Sequence, residues 1–153
     1  MSCITPFHDI DLSVSEILSS EHIKNTEGTL HISGNACRKI IYIQSGSLDE
    51  ALYGKNLLFI PEDTAFSAKI KDAITAYIIS FTSKEGTPAK PLYCKIQSAE
   101  AFENLFSSVY LALNRGGINY MARCKKWLCE IILRTKLECN KASESASDHT
   151  NQE

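Results

Sequence analysis

The stretch Arg38 to Phe81, RKIIYIQSGSLDEALYGKNLLFIPEDTAFSAKIKDAITAYIISF, decides the fold. It contains three apolar runs: KIIYI at 39–43, LLFIP at 57–61 and AYIISF at 76–81. Each is short and rich in Ile, Tyr and Phe, which favours strand over helix. Turn-forming residues punctuate them. Ser45-Gly46-Ser47 is expected to end the first run, and Tyr53-Gly54-Lys55-Asn56 leads into the second. Pro61, which has no amide proton to donate to a ladder, belongs at a strand end. Between these runs, Leu48 to Tyr53 is read as a hairpin strand. Phe66 to Ile70 alternates as a further strand, with Lys71-Asp72 as the turn into AYIISF. Several short strands at this spacing predict a sandwich or small barrel.

Outward from this block the signals weaken on one side and strengthen on the other. Before it, Thr29 to Ile32 alternates as a strand, and Asn25 to Gly28 is a turn. Residues 14–20 read either as a short helix, with Ser13 to Glu16 as a capping box, or as an extended arm. After it, Ser83 to Pro91 is connector chemistry, and Leu92 to Ile96 is an edge strand. From Ser98, expected to cap a helix, Phe102, Leu105, Phe106, Val109, Tyr110 and Leu113 recur at helical spacing. Gly116 and Gly117 suit a left-handed helix end. A second helix runs from Asn119 to about Cys139, with Met121, Cys124, Leu128, Ile131 and Thr135 as its main stripe. Trp127, Ile132 and Leu133 widen its apolar surface, so one side is expected on the sheet and the other against a second copy of the chain. The polar tail from Lys141 is expected to be disordered. The predicted organisation is thus an N-terminal arm (1–28), a β-barrel (29–97), a helix pair (98–140) and a tail (141–153).

The 153 residues suit one domain with a substantial core. The net charge of −2 excludes a strong general attraction to nucleic acid or anionic membrane. It is nonetheless uneven: residues 115–141 hold seven basic side chains and only two acidic ones. No stretch approaches the roughly 20 apolar residues of a membrane helix, and the first residues lack the pattern of a signal peptide. A cytoplasmic protein with reduced thiols is expected, because the six cysteines form no C-x-x-C pair. Most of them are read as small apolar fillers.

Ile43-Gln44-Ser45-Gly46, Gly54, Leu57 to Pro61 and Tyr77 to Phe81 resemble the cupin-type N-terminal domain of AraC-family transcriptional regulators, with the helix pair resembling that family's dimerising helices. The resemblance covers residues 28–138. It implies a mainly β fold, a jelly-roll barrel followed by an antiparallel helix pair. It further implies a non-catalytic ligand-sensing and dimerisation domain of a bacterial regulator. The partners implied are a second copy of the chain, a small-molecule effector, and DNA through a helix-turn-helix half that this sequence does not contain. Ligand-lining positions fall at His31, Arg38, Tyr42, Ser67 and Ile78, a less polar set than in sugar-binding members. By period two, Arg38, Tyr42 and Gln44 share one side of a strand, facing either a cavity or solvent. Met121, Cys124, Leu128 and Ile131 are the expected dimerisation residues. A stand-alone cupin that binds a small molecule is the alternative.

Catalytic and metal equipment is not expected. The metal site of cupin enzymes needs an H-x-H pair, a carboxylate and a later histidine. Here no histidine lies between Gly46 and His149, and Phe66 stands where the later one belongs. No nucleophile–base motif or phosphate-binding glycine loop is present, and no cofactor is implied.

Overall fold

A computed structural model describes residues 5–6, 14, 16–34, 36–48, 52–53, 56–83 and 91–151, with the side chains of 5–6, 52–53 and 139–151 outside that description. The protein is mainly antiparallel β-sheet followed by two helices. The strands are β1 (Thr5–Pro6), β2 (Glu16–Thr26), β3 (Thr29–Ile32), β4 (Arg38–Leu48), β5 (Leu52–Tyr53), β6 (Asn56–Ile60), β7 (Phe66–Thr82) and β8 (Leu92–Lys95). Helices α1 (Ala99–Arg115) and α2 (Tyr120–Asn151) complete the chain. The sheet order is β1-β8-β6-β4-β7-β2, with β3 also on β7 and β5 on β4. Among the described residues the two ends of this path do not pair, so the sheet curls without closing into a barrel.

The central pair is β4 and β7, and both of its faces are covered. Ile40, Tyr42, Tyr77, Ile79 and Phe81 point to one side, where Phe102, Phe106 and Val109 of α1 and Cys124, Leu128 and Ile131 of α2 meet them. Ile41, Ile43, Ile74, Ala76 and Ile78 point to the other, where Leu30, Ile32, Leu58, Ile60 and Phe66 fill the inside of the curl. A strand buried on both faces reads as a continuous apolar run rather than an alternating one, hence KIIYI and AYIISF.

Two expected turns are bulged strand instead. Ser45-Gly46-Ser47 does not end β4, and Lys71-Asp72 does not divide β7, which runs unbroken for 17 residues. The pairing slips between Ile43 and Leu48, opposite Ile70 to Ala76, so both strands bend together there. Gly46 sits at the bend with φ of +89°, and a Cβ on it would lie 2.2 Å from the Ala73 carbonyl oxygen. Bulges concentrate twist and curvature in this way. Beyond the bend, β7 leaves β2 and pairs with β3, carrying Phe66 and Ala68 over the inner core. The residues allotted to an N-terminal arm also join the sheet: β2 is an 11-residue edge strand along β7, not a helix.

Helix α1 starts without the expected side-chain cap from Ser98. The buried carboxylate of Glu138, from α2, accepts the amide protons of Gln97 (3.3 Å) and Ser98 (3.1 Å) instead. A negative charge at a helix N-terminus is favoured by both the free amides and the dipole. At the other end Gly116, with positive φ, donates its amide to Ala112. The backbone of α2 stays helical to Asn151, past the stop near Cys139 that the apolar pattern suggests.

Gly46→Ala is expected to destabilise the fold by about 2–5 kcal/mol, through strain and overlap together. Gly28→Ala, with similar φ but open space around it, should lose only the strain component. Glu138→Ala should cost about 2 kcal/mol by orphaning two amides. Urea denaturation of the three variants checks all of this; equal losses at Gly46 and Gly28 would refute the close-approach argument.

Candidate functional site

The five residues expected to line one ligand cavity fall in three places. His31 and Ser67 are directly opposed across β3 and β7, and His31 Nδ1 and Ser67 Oγ share a hydrogen bond of 2.7 Å. Both are exposed, on the outside of the curl, because Leu30 and Ile32 take the inward positions of β3. Arg38 and Tyr42 lie on the helix-facing side of the sheet. Arg38 is 2% exposed and pairs with Glu62 at 3.5 Å. Ile78 alone points into the inner core, where it packs among aliphatic side chains. Period two puts Arg38, Tyr42 and Gln44 on one face, and on that face Tyr42 lies under α1 while Arg38 meets Glu62 and Gln44 meets His22.

This helix-facing side holds the richest chemistry in the described residues. Tyr42 is stacked on Phe102 and Phe106, with ring centroids 6.3 and 5.4 Å away, and its hydroxyl donates to Glu103 Oε1 at 3.3 Å. Burial, and then the Glu103 carboxylate, push the Tyr42 phenol well above its ordinary range. It is therefore a hydrogen-bond donor at neutral pH, not a base. Next to it on β4, Gln44 shares a 2.9 Å hydrogen bond with His22 Nε2. The His22 ring lies flat on Tyr77 at 4.0 Å and meets the edge of Tyr110 at 5.8 Å. His22 was missed in the sequence because β2 is polar and shows no apolar alternation; only its place in an extended segment offered a signal.

The expected dimerisation residues are also corrected. Cys124, Leu128 and Ile131 are 0% exposed and hold α2 to α1 and the sheet, while Met121 is half-buried. Of the residues expected to widen the stripe, Ile132 is buried and Trp127 is half-buried against the same core. Among the described residues of α2, the large apolar side chains left exposed are Leu133 and Leu137, at 58% and 51%.

Of the cysteines whose side chains are described, Cys37, Cys94 and Cys124 are buried, as expected of fillers, and Cys129 is exposed; burial pushes the Cys124 thiol up, away from nucleophilic use. Among the described residues no group of three or more His, Cys, Asp or Glu is placed to hold a metal ion. None of their helices is long and apolar enough to cross a membrane. Comparison with protein-family models and with curated proteins gives no match for the chain.

The Tyr42 environment predicts an alkaline limit. Its phenol is harder to ionise in the folded than in the unfolded chain. The associated stability is therefore complete below the unfolded value of about 10 and declines as pH rises beyond it. Denaturation midpoints measured from pH 8 to 11 should fall more steeply for the wild type than for Tyr42→Phe. Parallel curves would remove the assigned cause.

Proposed function

We propose that this chain is a non-catalytic sensing and dimerisation module of the AraC type, in which a small apolar effector enters the inside of the curled sheet by displacing part of its aliphatic packing and two copies are joined through α2. In a complete regulator of this kind, DNA would be read by a helix-turn-helix half outside this sequence. The supporting architecture is the sheet with an aliphatic inside and a helical hairpin packed on its outside. Ile41, Ile43 and Ile78 line the inside, while their chain neighbours Ile40, Tyr42 and Tyr77 hold α1, so a change of packing on one face is felt on the other. An effector must favour one of the two packings to act through this route.

The observation that carries the reading is the second apolar side of α2. Leu133 and Leu137 stand one turn apart, exposed, opposite the stripe of Cys124, Leu128, Ile131 and Thr135 that is already buried within the chain. A helix that is apolar on two sides has two surfaces to cover. Paired with its copy by a two-fold axis, each α2 would place its leucines against the other's.

In sedimentation at high micromolar concentration the chain should be a dimer, and Leu133→Glu combined with Leu137→Glu should make it a monomer. Their exposed positions should keep the change in fold stability near 0.5 kcal/mol each. Leu128→Glu should instead unfold the chain, at a cost of about 3 kcal/mol or more, because it buries an unpaired charge. A monomeric wild type, or a dimer indifferent to the double change, would dismiss the reading. For the sensing part, a thermal-shift screen of apolar metabolites should find ligands that raise the melting temperature; at a hundredfold excess over Kd the gain is about 2.7 kcal/mol.

A further inference from the structure

The end of the helical hairpin carries a groove that the proposed sensing and dimerisation roles do not use. Its floor is Leu111 and Ala112 of α1 and Trp127 of α2; Arg115 and Arg123 stand at its sides, and its volume is about 310 Å³. That lies at the small end of the range for organic ligands. Leu111 is 42% exposed, so apolar surface is left open to water between two cations.

Both arginines are exposed and have no carboxylate partner among the described residues. The ion pairs in the described residues are Arg38–Glu62 and Arg134–Glu130; neither Arg115 nor Arg123 pairs with a carboxylate among them. The first turn of α2 has no acidic residue. One guanidinium is already held in place. Arg123 lies over the Trp127 ring, 6.0 Å from its centroid, and reaches back to the turn, where a Cβ on Gly117 would stand 3.5 Å from its terminal nitrogen. A cation–π contact at that distance biases the guanidinium toward the indole and leaves its N–H groups available to an oxyanion.

We propose that this groove binds an amphipathic organic anion, a carboxylate or phosphate on a compact apolar body. The oxyanion sits between Arg115 and Arg123, and the body lies on Leu111, Ala112 and Trp127. Both halves of that chemistry are needed. A free inorganic anion would leave the apolar floor wet, and a neutral apolar molecule would leave the two cations unanswered. The proposal stands apart from the dimer and effector reading, since it uses neither the inner core nor Leu133 and Leu137.

The chain has a single tryptophan, and it lines the groove. Intrinsic fluorescence therefore reports occupancy directly. Octyl phosphate, titrated below its micelle concentration into the full chain, should change the Trp127 emission saturably. Octyl glucoside and inorganic phosphate should bind at least tenfold more weakly. Arg115→Gln and Arg123→Gln should each weaken octyl phosphate at least fivefold, while Lys69→Gln, an exposed cation on β7, should leave it unchanged. All three substitutions are at exposed sites, so circular dichroism melts should coincide with wild type. No saturable change, equal binding of octyl glucoside, or equal loss in Lys69→Gln and the two arginine variants would each overturn the site.

Discussion

The fold depends on one close approach, where β4 passes β7 at Gly46. The Ala73 carbonyl occupies the space a side chain would need, and both strands bend at that point. Without the bend, the first half of β7 would continue flat and β3 would have no reason to lie over Leu58 and Ile60. The inner core exists because a 17-residue strand is turned through its own middle. The outer core exists because the straight remainder of the same strand presents Tyr77, Ile79 and Phe81 to the helices. The alternation of side chains along β4 and β7 divides the apolar residues into two sets, and the bend brings Phe66 and Ala68 with β3 over the inner one.

Polar groups then fix how the helices sit on this sheet. Apolar packing alone has little preference for the exact rotation of α1. Tyr42, with its hydroxyl bound to Glu103, and Glu138, whose carboxylate holds the Gln97 and Ser98 amides, are directional. The first ties α1 to the middle strand, and the second ties the start of α1 to the far part of α2. Each removes a penalty that burial would otherwise impose, on a phenol in one case and on free helix amides in the other. Their separation along α1 restricts rotation as well as sliding. In the proposed role, this is the coupling that would let a change inside the curl reach the surface of α2.

The three strong strands and both helices were legible because each carries a long, consistent apolar pattern. The errors came from residues whose chemistry serves more than one geometry. Ser45-Gly46-Ser47 and Lys71-Asp72 look like turns, since a glycine with positive φ and a short polar pair suit turns as well as bulges; only the neighbouring strand decides between them. Strand β2 was not legible because an edge strand with Ser19, Ser20, Glu21 and Lys24 has little apolar alternation. The face of Arg38 and Tyr42 was readable as a shared face, but not as the face beneath a helix sixty residues later in the chain. The stripe of Cys124, Leu128 and Ile131 was read correctly as apolar and wrongly as intermolecular, because periodicity states that a side is covered and not by what.

The same ambiguity attaches to the charge surplus of residues 115–141, and the structure narrows it by position. Arg134 is answered by Glu130 one turn away on the side of α2. Glu138 spends its charge on the start of α1. Arg115 and Arg123, which have no carboxylate partner among the described residues, lie beside Trp127 at the hairpin end. On a helix that turns 100° per residue, Trp127 lies about 120° around α2 from Leu133. An occupant of the groove and a second copy on the leucines would therefore approach α2 from different directions, and neither need displace the other. The two surfaces also answer to different forces: salt weakens the attraction to paired arginines, whereas it leaves the burial of leucines intact or strengthens it.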